Sequence, residues 1–136
     1  MMIPLKIGAL ARRTGMSAPT IRYYEEIGLL PRAHRQSGGQ RRYGEEDIAR
    51  LAFIRRSRDL GLSIEQVRSL LLLAKDPKRS CVDARDLARH QLDVVRSRLR
   101  ELKMLERGLT AFVADCESSC AGGPGPDCVI LQSLQD

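Results

Sequence analysis

The apolar positions change period several times along the 136 residues, and each change marks an element. Ile7, Leu10 and Ala11 fall at i, i+3 and i+4, the stripe of a short amphipathic helix that Thr14-Gly15 ends. Ser17 then reads as an N-cap, and Pro19 sits in a first turn, where its missing N–H costs nothing. This second helix is expected from about Ala18 to Ile27, with Gly28 as its C-terminal glycine. Two short helices joined by a tight glycine-containing turn make a helix-turn-helix, whose second helix exposes Thr20, Arg22 and Tyr23. Gly38-Gly39 between short polar arms reads as a hairpin, a wing carrying Arg32, Arg35, Arg41 and Arg42. A third helix is expected from about Glu45 to Leu60, stopped by Gly61. Ser63-Ile64-Glu65-Gln66 is a capping box that opens a fourth helix through Leu70 to Ala74, and Asp76-Pro77 breaks the chain.

From Val82 to about Asp115 there is no proline, and the only glycine is Gly108. Ala88, Leu92, Val95, Leu99, Leu102, Leu109 and Val113 follow a 4-3 spacing, with Glu106 filling the gap. That is a heptad seam on a helix about 50 Å long at 1.5 Å per residue. In so short a chain the seam is expected to pair with a second copy; the alternative is a helix folded against the N-terminal half. A Gly/Pro loop and a short apolar turn, Val129 to Leu134, close the sequence. The expected fold is mainly α. A winged helix-turn-helix with connecting helices occupies residues 1–75, a hinge and dimerisation helix 76–115, and a cysteine-bearing loop with a short helix 116–136.

Charge sharpens this division. Residues 1–60 hold 12 Lys and Arg against 6 Asp and Glu, whereas residues 61–136 hold 11 against 11. The whole excess lies in the helix-turn-helix half, and all its cations but Lys6 are arginines. Arginine forks match phosphates and guanine edges, so this half points to nucleic acid, the alternative being a solvated basic surface. Aromatic residues are 4% of the chain and tryptophan is absent, against a large aromatic-walled pocket. The longest apolar run, Leu70 to Ala74, is far below the roughly 18 residues of a membrane span, and Met1 to Leu10 lacks a secretory signal's features. A cytoplasmic, non-membrane protein is expected.

The four cysteines, Cys81, Cys116, Cys120 and Cys128, all lie outside the basic half. In a reducing compartment, metal binding or redox sensing outranks a structural disulfide. Cys81 stands just before the long helix and Cys116 at its end, about 50 Å apart within one chain. If two such helices pair antiparallel, Cys81 of one copy meets Cys116 of the other, and Cys128 closes the set. Three thiolates suit a soft ion such as Hg(II), Pb(II), Cd(II) or Zn(II). Cys81 buried in a helix junction and Cys120 as an incidental loop thiol are the plainer alternatives. His90, mid-helix, is read as an ordinary surface or interface histidine.

Ile7-Gly8-x-Leu10-Ala11, Thr20-Ile21-Arg22-Tyr23-Tyr24-Glu25-x-x-Gly28-Leu29-Leu30, Gln40-Arg41-Arg42-Tyr43 and Gly61-Leu62-Ser63 together resemble the MerR family of bacterial transcription regulators. The resemblance implies a winged helix-turn-helix homodimer joined by an antiparallel coiled coil. It also implies that the inducer-bound form distorts a near-palindromic promoter, acting on RNA polymerase indirectly through the DNA. Arg22, Tyr23 and Thr20 would then face the major groove, and Arg41, Arg42 and Tyr43 would hold the wing to the backbone. Lys6, Ser17 and Arg32 complete the candidate DNA-binding set. The second half is similar to the short metal-sensing branch, in which a cysteine ends the long helix and a second follows a loop, the places of Cys116 and Cys128. A cysteine at the position of Cys81 goes with divalent ions in that branch, where Cu(I) sensors carry serine.

The loop departs from the branch in its length and in Cys120, a further candidate ligand. Cys120 and Cys128 are separated by seven residues, the loop length of the Cu(I) sensors, so a Cu(I) site stays open beside the divalent one. Three tail cysteines are too few for the family's iron–sulfur sensors, and the residues after the long helix too few for a drug-binding domain. A thiol enzyme or metal carrier is the competing class. Against it stand the lack of Cys-x-x-Cys, of a nucleotide loop and of a His/carboxylate pair beside a cysteine, and a basic half it would leave unexplained. The expected function is therefore not enzymatic.

Overall fold

A computed structural model describes residues 4–32, 34–35 and 41–136. The Gly38-Gly39 turn lies outside the described residues. The chain forms two compact units, Met1–Leu87 and Ala88–Asp136.

In the first unit α1 (Ile7–Thr14) and α2 (Ala18–Glu26) form the helix-turn-helix. Gly15 ends α1 at φ 71°, a left-handed conformation, and its N–H bonds Ala11 O. Arg55 lies against Gly15 and donates Nη1 to Thr14 O at 2.8 Å, so the turn is packed as well as bent. Ser17 caps α2: its Oγ accepts the Thr20 N–H at 3.2 Å. Past Gly28, at φ 80°, the N–H groups of Leu29 and Leu30 both return to Tyr24 O and drive the two leucines into the core. Gly15→Ala would strain the backbone and push its methyl into the Arg55 guanidinium. A loss of about 1–2 kcal/mol is expected, the cost of a Cβ in left-handed backbone, and urea denaturation would read it.

Two short strands follow, β1 (His34–Arg35) antiparallel to β2 (Arg41–Arg42), with His34 opposite Arg42 and Arg35 opposite Arg41. Leu5 pairs with Tyr43 through two backbone bonds of 2.7 and 2.9 Å, fixing the segment before α1 to the base of this wing. Next come α3 (Glu45–Asp59) and α4 (Ile64–Lys75). Asp47 accepts the Gly44 N–H at 2.9 Å at the start of α3. The expected capping box of α4 is present in both directions, Gln66 N–H to Ser63 Oγ and Ser63 N–H to Gln66 Oε1. Leu10, Ile21, Leu29, Leu30, Leu51, Ile54 and Val67 are sealed in one core that all four helices share.

The long helix α5 runs from Val82 to Ser119, four residues beyond the expected end at Asp115. Glu117-Ser118-Ser119 holds no breaker, and the chain turns over residues 120–122, with Gly122 at φ 81°. The two compact units divide within α5, and Leu87 packs against the first unit's core. Beyond Leu87 the helix has no buried residue. Leu92, Val95, Leu99, Leu102, Leu109 and Val113 are 44–62% exposed, and Leu102, Leu105, Leu109 and Val113 line an open apolar depression. A single 3-10 turn, Gly125–Asp127, leads to α6 (Val129–Gln135).

Candidate DNA interface and metal centre

Helix α2 presents Arg22 and Tyr23 outward and buries Ile21, Tyr24 and Glu25. Thr20, expected to be exposed, is half-buried, and its hydroxyl lies 2.8 Å from Ser17 Oγ. The two hydroxyls first serve the cap. Arg22, Lys6 and Arg32 border one concavity of about 390 Å³, with Glu25 and Tyr43 in its walls. Three of the expected DNA-facing cations thus share one surface. The side chains of Arg35 and Arg41 lie outside the described residues.

Tyr43 differs from expectation. Read as a wing contact to DNA, its side chain is 1% exposed and its hydroxyl donates to the buried Glu25 Oε1 at 2.5 Å. The ring is a core residue that ties the base of the wing to α2. Neither side of this pair was identifiable as such in the sequence, since both lie in stretches otherwise read as DNA-facing. The neighbouring Arg42 has a buried Nη1 with no hydrogen-bond partner among the described residues. An unpaired buried donor costs about 1–3 kcal/mol, so this guanidinium has capacity left for an acceptor.

The arginine excess also divides in two. Arg50 Nε donates to Leu29 O at 2.6 Å, Arg55 Nη1 to Thr14 O at 2.8 Å and Arg58 Nη1 to Leu62 O at 2.9 Å. These arginines satisfy carbonyls at the ends of helices and turns, a structural use that composition does not reveal. Among the described residues, Arg22 on α2 and Arg32 beside the wing are exposed, as are Arg12 and Arg13 on α1 and Arg56 on α3.

In the second unit, the extra turn of α5 puts Cys116 and Cys120 one above the other, with Sγ atoms 3.7 Å apart. The loop returns Cys128 to them, and the three Sγ atoms lie within 4.8 Å of one another, all half-buried. Sequence reasoning paired Cys116 with Cys128 and left Cys120 open; the structure brings all three together. Cys81 is an exposed residue of the first unit, at the edge of a cavity lined by Phe53, Leu70, Leu73, Ala74 and Arg79.

A thiolate-bound ion at about 2.3 Å from each sulfur sets trigonal or tetrahedral sulfurs about 4 Å apart. The observed spacing meets that condition, and the donor set is wholly soft, so the residues fit a thiophilic metal. Cys116, Cys120 and Cys128 would hold it, and the ion would cross-link the end of α5 to the start of α6.

The three thiols are not equivalent. Cys116 is pushed up to about 11, first by its hydrogen bond with Cys120, then by desolvation and by repulsion from the other two sulfurs. Cys128 is lowered, because it is the N-cap of α6 and the N–H groups of Leu131 and Ile130 stabilise its thiolate. The thiolate is the nucleophile, so the lower value means more reactive sulfur at a given pH. With the metal-free protein near neutral pH, iodoacetamide is expected to label Cys128 before Cys116, as peptide mass spectrometry would record. The gap should narrow as pH rises towards 11.

A winged helix-turn-helix leading into a long helix with an open apolar seam defines a DNA-binding transcription regulator. Residues 5–73 match the family described as MerR HTH family regulatory protein, and residues 48–112 the one described as MerR, DNA binding. The chain belongs to the MerR family, whose members are regulators and not enzymes. It is 42% identical over 132 residues to the HTH-type transcriptional regulator HmrR of Rhizobium leguminosarum bv. viciae, covering 97% of this chain and 98% of that protein. It is 36% identical to the mercuric resistance operon regulatory protein of Serratia marcescens over 96% of this chain and 88% of that one. Among solved structures, the transcription regulator PbrR691 from Ralstonia metallidurans CH34 in complex with lead(II) superposes with a TM-score of 0.79. It is 35% identical, covering 96% of this chain and 98% of that one.

Proposed function

We propose that this protein is a metal-responsive transcription regulator that binds promoter double-stranded DNA as a homodimer and changes the shape of that DNA when a thiophilic ion occupies its tail. The observation that carries the reading is the trithiol cluster at the end of a helix whose other end leaves a winged helix-turn-helix. The relatives named for mercury resistance and lead binding support Hg(II) or Pb(II), with Cd(II) and Zn(II) in the same chemical class. Three thiolates rather than two favour a divalent ion over Cu(I), although the spacing of Cys120 and Cys128 keeps Cu(I) as the second reading. The response acts on RNA polymerase through the promoter, in the cytoplasm. No helix among the described residues is long and apolar enough to cross a membrane.

The exposed seam of α5 supports dimerisation through antiparallel pairing, and Lys6, Ser17, Thr20, Arg22, Tyr23, Arg32, Arg41 and Arg42 form the DNA-facing set. Residues 1–75 bind DNA, 76–115 connect and dimerise, and 116–136 sense the ion. In an antiparallel pair, Cys81 of the second copy stands near the tail loop and couples the bound ion to that copy's DNA-binding half. Such coupling must be differential, so the ion should alter DNA shape and transcription more than DNA affinity.

The test is a footprint and run-off transcription on the promoter with and without Hg(II) or Pb(II). An ion-dependent change in cleavage pattern and transcript at nearly constant affinity is expected. Unchanged footprint and transcript with every ion would reject the reading. On the same DNA, Arg42→Ala should weaken specific and non-specific binding alike and lower the salt slope by about one unit, as a lost phosphate contact does. An unaltered slope would remove Arg42 from the interface.

A further inference from the structure

We propose that Cys120 is a metal ligand, and that Cys116, Cys120 and Cys128 of a single chain form a complete trithiolate site for a soft divalent ion without a thiol from a second copy. This inference rests on the metal-regulator reading and specifies where its ion is captured. The sequence argument needed Cys81 of another copy because it counted only two clustered thiols per chain. The extended helix removes that need. Cys120 lies one turn beyond Cys116 on the same face, its N–H bonding the Cys116 carbonyl at 2.9 Å, so the two sulfurs point the same way at 3.7 Å.

The loop that follows is shaped to close the set. Gly122 takes φ 81°, and a Cβ on Gly123 would sit 3.1 Å from the Cys120 carbonyl, so both glycines are used in reversing the chain. The 3-10 turn Gly125–Asp127 then delivers Cys128, whose N–H bonds Gly125 O at 3.0 Å, to the open side of the pair. Among the described residues no carboxylate or histidine joins this group. A set of three thiolates selects Hg(II), Pb(II) or Cd(II) over hard ions such as Mg(II) or Ca(II). Capture and response then separate: one chain's tail holds the ion, and Cys81 is left to transmit its presence.

The experiment titrates the reduced full-length protein with Hg(II), and separately with Pb(II), under anaerobic conditions against a competing small thiol. Ions bound per chain and the thiolate-to-metal charge-transfer spectrum are recorded. Wild type and Cys81→Ser are both expected to bind one ion per chain with the same three-thiolate spectrum. Cys120→Ser and Cys120→Ala should bind about tenfold or more weakly and show a two-thiolate spectrum, since loss of a direct ligand costs at least what loss of its supporting groups does. Circular dichroism and DNA binding of the ion-free variants should match wild type. The inference is overturned if either Cys120 variant titrates like wild type, or if Cys81→Ser alone loses the three-thiolate spectrum. A wild type that binds no ion overturns the metal-regulator reading with it. A wild type that binds and responds, with Cys120→Ser unchanged, overturns the role of Cys120 alone.

Discussion

Leu99→Asp is expected to convert the protein to a monomer and abolish binding to the full palindromic promoter site. Leu99 lies at the middle of the α5 seam and is half exposed in the single chain, as are Leu92 and Val95 before it. Leaving so long an apolar stripe in contact with water is unfavourable. Burying each such side chain is worth about 1.5–3 kcal/mol, and pairing would bury several of them twice. An aspartate there would be taken into the same interface from both copies, at a cost on the order of several kcal/mol per charge. Sedimentation velocity at micromolar concentration separates the outcomes. Arg100→Ala, one residue off the seam, should remain dimeric. If wild type itself sediments as a monomer, the seam has another purpose and the dimer is wrong.

The same seam shows what a one-dimensional pattern can and cannot convey. A 4-3 spacing of apolar residues and a capping box are local signals, so the helix-turn-helix, the opening of α4 and the length of α5 were legible to within a turn. Its end at Ser119 was not, because Glu117-Ser118-Ser119 neither favours nor breaks a helix, and only the glycines beyond it decide. That single turn determines whether Cys120 is a loop thiol or a neighbour of Cys116. The four-residue spacing of the two cysteines was the available signal, readable once the helix is known to continue.

The arginines and Tyr43 were obscured for another reason. An exposed cation and one that satisfies a helix-end carbonyl have the same composition, and only the fold distinguishes the exposed Arg22 from the half-buried Arg50. Tyr43 sits beside the wing arginines in sequence, yet strand pairing with Leu5 turns its ring into the core, where Glu25 receives its hydroxyl. The basic charge of the first half was therefore a sound sign of nucleic acid and a poor guide to which residues meet it. The wing's backbone register, His34 opposite Arg42, agrees with the hairpin expected from the sequence.

Mixing subunits is expected to give the clearest separation of capture from response. A Cys81→Ser homodimer keeps both tail trithiols, so it should bind Hg(II) or Pb(II) and yet fail to alter transcription. A homodimer carrying Cys116→Ser and Cys128→Ser together should do neither, because one thiol per tail is left. A heterodimer of the two has one intact tail, on the Cys81→Ser chain, facing one intact Cys81 on the other chain. It should bind a single ion per dimer and recover part of the transcriptional response that both homodimers lack. Binding should release protons in each competent species and weaken as pH falls, because the ligands must be thiolates. Cys116 is pushed up to about 11, so near neutral pH the metal must displace its proton into solvent, and this makes that dependence steeper. Tagged copies purified in tandem would supply the heterodimer. Should it bind an ion and remain silent, Cys81 and the tail do not cooperate across the dimer. A fully responsive Cys81→Ser homodimer would assign the coupling to the tail alone.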